Sequence, residues 1–178
     1  MRVVLLLFFG GMAMTAVKSV KIDGEQVHIF NSAIYIFESQ SGYTLELDLV
    51  VSEVTERKYK NVQNLIMEIE LESGKFIDSI MHLKCLQGGL PQLNLFCDIE
   101  DIDGYEELDR VNESSSCFPD VEEGITLEEI RKVEMPNENI SLKLNLPIDQ
   151  VEWLKKQKKP ILNEMFTEMI YQFWKKHE

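Results

Sequence analysis

Leu45, Leu47, Leu49 and Val51 occupy one parity of the chain while Glu46 and Asp48 occupy the other, and Met67, Ile69 and Leu71 repeat the arrangement against Glu68, Glu70 and Glu72. Side chains on a strand point alternately to opposite faces, so this pattern describes a sheet with one apolar face and one acidic, solvated face. Turn signals divide the pattern into short segments. Residues 17–22 and 25–30 flank Asp23-Gly24, a pair suited to the type I′ hairpin turn because both central positions need positive φ. Residues 33–38 and 43–52 follow as strands, and 53–60, which is polar and carries Arg57, Lys58 and Lys60, reads as a loop. Residues 65–71 and 75–86 flank Glu72-Ser73-Gly74, and Gly88-Gly89-Leu90-Pro91 separates them from a strand over 92–99. Pairing this local predicts a mostly antiparallel sheet or partly open barrel of six to eight strands.

The pattern changes after residue 98. Residues 98–123 hold eleven acidic side chains against one base, Arg110. An EF-hand calcium loop needs Asp first, Gly sixth and Glu twelfth; placing Gly104 sixth puts Ile99 first and Arg110 twelfth, so the spacing fails. The segment reads as an acidic, solvated connection, with Asp101, Asp103, Glu106, Glu107 and Asp109 as candidate partner-binding residues and no metal site. Thr126 with Glu129 then forms the capping-box pattern of a short helix that stops before Pro136.

Ile140, Leu142, Leu144 and Leu146 alternate with Ser141, Lys143 and Asn145, which predicts a late strand returning to the sheet. Asp149 with Glu152 repeats the capping pattern and opens a helix that ends or kinks at Pro160. The terminal helix places Ile161, Leu162, Met165, Phe166, Met169, Ile170, Phe173 and Trp174 on one face sweeping about 220°. That is wider than one flat contact requires. Part of it is expected to meet a second surface, and Phe166, Ile170, Phe173 and Trp174 are the candidates for helix packing or for contact with another copy of the chain. The fold class is therefore α+β, with C-terminal helices packed on the apolar sheet face.

At 178 residues the chain suits a single α+β domain over 14–178. Met1 and Arg2 precede seven apolar residues and Gly10-Gly11-Met12-Ala13-Met14. Residues 1–13 thus read as a signal-like segment, a mis-called start ahead of Met14, or a buried strand, and the start is favoured because the apolar run is minimal for a signal. Three cysteines without a spaced framework fit a reducing compartment, so the location expected is cytoplasmic, or secreted if residues 1–13 are a cleaved signal. Cys97 and Cys85 share the parity of apolar neighbours and read as core residues, while Cys117 falls in a loop.

The net charge of −13 repels phosphates and anionic membrane surfaces, and it favours cationic partners. On that ground no nucleic acid and no membrane partner is expected. The chain carries no nucleophile elbow, no phosphate loop, no dinucleotide fingerprint and no zinc-protease helix motif, and no cofactor is implied. His28 and His82 lie in predicted strands and His177 at the terminus, without a partner pattern for a catalytic base. The lysines of Lys155-Lys156-Gln157-Lys158-Lys159 read as a solvated face complementing a helix dipole. The reading reached is a non-catalytic, acidic protein-binding module, in its sharpest form an inhibitor or immunity-type protein that neutralises a basic partner. A homo-oligomeric chaperone or assembly factor is the alternative, and a carboxylate-dependent enzyme is the second.

Overall fold

The computed structural model describes residues 15, 17–84, 88–115 and 118–177. The segment 1–13 and the positions of Cys85 and Cys117 lie outside the described residues. The chain forms two compact units that divide between Asn137 and Glu138.

The first unit is built on an eight-stranded sheet. Its elements are β1 (Val17–Ile22), β2 (Glu25–Val27), β3 (Asn31–Ser39), β4 (Gly42–Val50), α1 (Glu53–Tyr59), β5 (Asn64–Leu71), β6 (Phe76–Lys84), β7 (Gln92–Ile99), β8 (Asp109–Asn112) and α2 (Leu127–Val133). The strand order is β2-β1-β5-β6-β7-β4-β3-β8. Every pair is antiparallel except β3–β8, which is parallel. The expected first hairpin forms, with Asp23 at φ 51° and Gly24 at φ 81°, and it pairs β1 with β2.

The apolar parity is buried within the first unit itself. Leu45, Leu47 and Leu49 of β4, Leu65, Met67, Ile69 and Leu71 of β5, and Leu95 of β7 are fully shielded. They share one core with Ile34 and Ile36 of β3 and Val20 and Ile22 of β1. β1 and β3, far apart in strand order, come into contact, so the sheet curls around its own apolar face. Each such Leu or Ile contributes roughly 1.5–3 kcal/mol by leaving water, which is why a sheet this apolar on one side cannot stay flat. Tyr59 of α1 and Leu108 join this core, with Ile102 and Tyr105 packed against it.

Three differences from the sequence reading have physical causes. Residues 53–60 are not a loop: Ser52 caps α1 by accepting from the Thr55 amide at 3.1 Å. Glu53 and Glu56 in the first turn and Arg57 and Lys58 in the last suit the helix dipole, a charge order that was legible in the sequence. The acidic connection contains a strand, β8, whose Val111 packs on the outer face of the sheet. Finally, that outer face is only partly solvated. Ala33, Tyr35 and Val50 form a second core with Val111, Val121 and Ile130 of α2, and α2 carries the capping box expected at Thr126 and Glu129.

The second unit begins at Glu138 and contains α3 (Ile148–Lys155) and α4 (Lys159–Lys175). The late strand expected over 140–146 is absent: this segment pairs with no strand among the described residues. Pro160 starts a helix where the sequence suggested a stop or kink, because it lies in the first turn of α4, where a missing amide hydrogen costs nothing. The α3 N-cap is Pro147, which leaves Asp149 in the first turn, where its charge suits the dipole.

Candidate functional site

Residues 138–178 leave the most apolar surface unburied. Ile140, Leu142 and Leu144 are 77%, 61% and 57% exposed, and neither α3 nor α4 buries a residue. Of the four terminal-helix candidates, Phe166 is half-buried, whereas Ile170, Phe173 and Trp174 are 57%, 67% and 63% exposed. Leu146, Val151, Leu154, Leu162, Met165 and Phe166 are partly shielded. Between the helices runs an apolar groove of about 410 Å³, lined by Leu144, Leu146, Trp153, Leu154, Met165, Phe166 and Met169 among others.

The charge of this unit differs from that of the rest. Residues 138–178 hold seven lysines and six carboxylate side chains, net +1, while residues 1–137 hold eleven bases and twenty-five acids, net −14. In the first unit bases meet carboxylates: Lys18 with Glu70, Lys21 with Glu68, Lys58 with Glu25, Lys75 with Glu107, Lys84 with Glu46 and Arg131 with Glu53. None of the seven lysines of the second unit has an ion-pair partner among the described residues. The sequence reading missed this because it weighed the charge of the whole chain, and a count taken segment by segment would have found it.

The five acidic candidates sit together in the first unit. Asp101, Asp103, Glu106 and Glu107 are exposed and Asp109 is half-buried. They are less free than a solvated loop implies. Asp101 accepts from the Asp103 amide at 2.9 Å, and Glu106 accepts from the Gly104 amide at 2.9 Å, which holds its carboxyl below the usual range. Glu107 lies 3.3 Å from Lys75, and Asp109 accepts from the Thr15 amide at 3.2 Å. Leu108, buried at the centre of this cluster, anchors it to the core.

A polar row on the outer face of the sheet escaped the sequence reading altogether. Glu46 and Asp48, expected on a solvated face, are 4% and 8% exposed. Asp48 accepts from the Tyr35 hydroxyl at 3.1 Å and from the Asn94 amide at 2.7 Å. Glu46 takes Lys84 at 2.5 and 2.6 Å on its two oxygens. Burial pushes the Glu46 carboxyl up, against the pull of Lys84, and burial with the nearby Asp48 pushes the Tyr35 hydroxyl up. These partners come from β3, β4, β6 and β7, so the row locks strand register. Its members are brought together by pairings such as Asp48 with Asn94 and Ala33 with Asp48, which no local motif reveals.

Cys97 is buried, as its parity suggested; burial raises its thiol, and Ser79 donates to it at 3.2 Å. His82 is exposed, contacts Asn64 at 2.7 Å and lies against Phe96, and His28, beyond the end of β2, meets Phe30 edge-on. Among the described residues no three metal-ligating side chains cluster, and no helix is long and apolar enough to cross a membrane. No family model matches the chain, and no curated protein and no solved structure is similar to it.

Proposed function

We propose that this chain is a non-catalytic binding protein that works as a homodimer joined through residues 138–178. The observation that carries the reading is the apolar surface of that unit. Eleven large apolar side chains between Ile140 and Trp174 are about half exposed or more. At roughly 200 Å² for a large side chain they present about 1,300 Å² per copy, against ~800 Å² per partner in a standard interface. A monomer of ordinary solubility exposes a smaller apolar patch than this. A unit of about forty residues without a disulfide or metal needs oligomerisation to complete a core.

A second copy suits the vacancy because the unpaired segment complements itself. Set antiparallel about Lys143, Ile140 faces Leu146 and Leu142 faces Leu144 on one side, while Ser141 faces Asn145 on the other. Each chain then pairs the backbone groups along its inner edge with those of the other, and the contact is the same patch on each, as two-fold symmetry demands. The apolar sheet face offered by the chaperone alternative is consumed by the core of the first unit, which leaves only the helices for such a role. The acidic group from Asp101 to Asp109 supports a second reading, a surface on the first unit that steers a basic protein partner.

Sedimentation of the full chain at micromolar concentration tests the dimer. Twice the chain mass is expected, and Leu142→Asp with Phe173→Asp should return the protein to monomer with its sheet intact by circular dichroism. A monomeric full chain would sink the reading.

A further inference from the structure

We infer that residues 140–146 of two copies form a two-stranded ribbon that reads duplex DNA in the major groove through Ser141, Lys143 and Asn145, an inference that rests on the dimer proposed above. Once the apolar parity of this segment is turned onto α3 and α4 of the pair, the other parity must face outward, because alternate side chains on a strand take opposite faces. Ser141, Lys143 and Asn145 are all exposed already. Their chemistry is that of base-edge readers: the Asn amide matches the acceptor and donor of adenine, the Lys ammonium matches the two acceptors of guanine, and the Ser hydroxyl serves either.

The dimensions agree as well. Paired strands lie about 4.8 Å apart, and the major groove of B-DNA, about 12 Å wide, admits a two-stranded ribbon. In the antiparallel pairing the two Lys143 side chains face one another. Like charges directly opposite destabilise a bare ribbon, whereas a groove lined with acceptors and flanked by phosphates relieves them. Lys155, Lys156, Lys158 and Lys159, exposed at the turn between α3 and α4 and without ion-pair partners among the described residues, are placed to meet phosphates.

The acidity that argues against nucleic acid belongs to the other unit. With −14 on residues 1–137 and +1 on residues 138–178, general attraction to DNA is weak, and binding has to come from specific contacts by the second unit. Double-stranded RNA is a poor substitute because its major groove is deep and narrow. A dimer with two-fold symmetry calls for a site with the same symmetry.

Selection by the full chain from a pool of random-sequence DNA duplexes, with sedimentation run alongside, is the decisive experiment. Enrichment of an inverted repeat is expected. Replacing Lys143→Ala and Asn145→Ala together should weaken binding to the selected duplex at least tenfold while the dimer mass stays unchanged, since both side chains are solvent-exposed. Lys155→Gln with Lys156→Gln should weaken binding to all sequences alike and flatten its salt dependence. A dimer that enriches no sequence overturns the DNA inference alone, as does equal binding by the Lys143/Asn145 variant or by an RNA duplex of the same sequence. A monomer overturns both the inference and the dimer beneath it.

Discussion

β4 and the segment 140–146 carry the same alternation of leucine with polar residues, yet Leu45, Leu47 and Leu49 are fully buried and Ile140, Leu142 and Leu144 are largely exposed. The difference is the number of neighbours available. β4 lies between β7 and β3 in a sheet that bends over its own apolar face, so both its backbone edges and its side chains are satisfied within the chain. The later segment has neither flanking strand nor facing layer in its own unit. Period-two patterning thus specifies which residues share a face. It does not say whether the partner is another part of the chain or another molecule.

Truncation separates the two regions most sharply. Leu47→Ala should cost about 2–5 kcal/mol in denaturant unfolding, the range for a buried leucine leaving a cavity. Phe173→Ala should leave unfolding of the first unit within about 0.5 kcal/mol, as for an exposed site, and weaken self-association instead. A large loss of first-unit stability on Phe173→Ala would erase the contrast.

Next in size is the polar row. Asp48→Ala leaves the Tyr35 hydroxyl and the Asn94 amide without their buried acceptor, at about 1–3 kcal/mol each. Lys84→Met leaves Glu46 without its counter-charge and should show a pH signature. Because the folded state already holds Glu46 above its usual 4.5, folding binds extra protons, and stability falls as pH rises through the window starting near that value. Without Lys84 the rise in the carboxyl becomes larger, so the variant should be weakest at neutral pH and recover towards the parent as pH falls to about 4.5. Urea titrations of both proteins across that range decide it; a constant difference would mean that the pair contributes nothing through Glu46.

The capping box gives a smaller effect. Thr126→Ala should destabilise the first unit by about 1 kcal/mol, since α2 carries the buried Ile130 of the second core. Glu129, held below its usual range by Thr126, has the opposite pH sense to Glu46: its contribution is present above the unfolded value and fades as pH falls. Thermal melts of the variant and the parent at neutral and acid pH measure both, and an unchanged melting temperature would show that α2 holds without its cap.

Smallest of all for stability is the acidic surface. Changing Asp101 and Asp103 to Asn and Glu106 and Glu107 to Gln should shift the melting temperature little, because exposed charges contribute little to folding. Association with a basic protein partner should slow and lose its salt dependence. Unfolding on this substitution would show that the turn contacts of Asp101 and Glu106 matter more than their charge does.

Much of the first unit was legible from residues alone. Asp23-Gly24 fixed a hairpin, the leucine parity fixed the buried face of β4, and Thr126 with Glu129 marked the start of α2, because each is a local rule acting over a few residues. Three features depended on chain segments distant in sequence. The burial of Glu46 and Asp48 required Lys84, Tyr35 and Asn94 to arrive from other strands; β8 required an edge of β3 to be left open; and the exposure of Ile140 to Leu144 follows from a unit whose two helices bury no residue. Local sequence determines conformation and face, whereas burial and charge environment depend on which surfaces meet, and only the tertiary structure decides that.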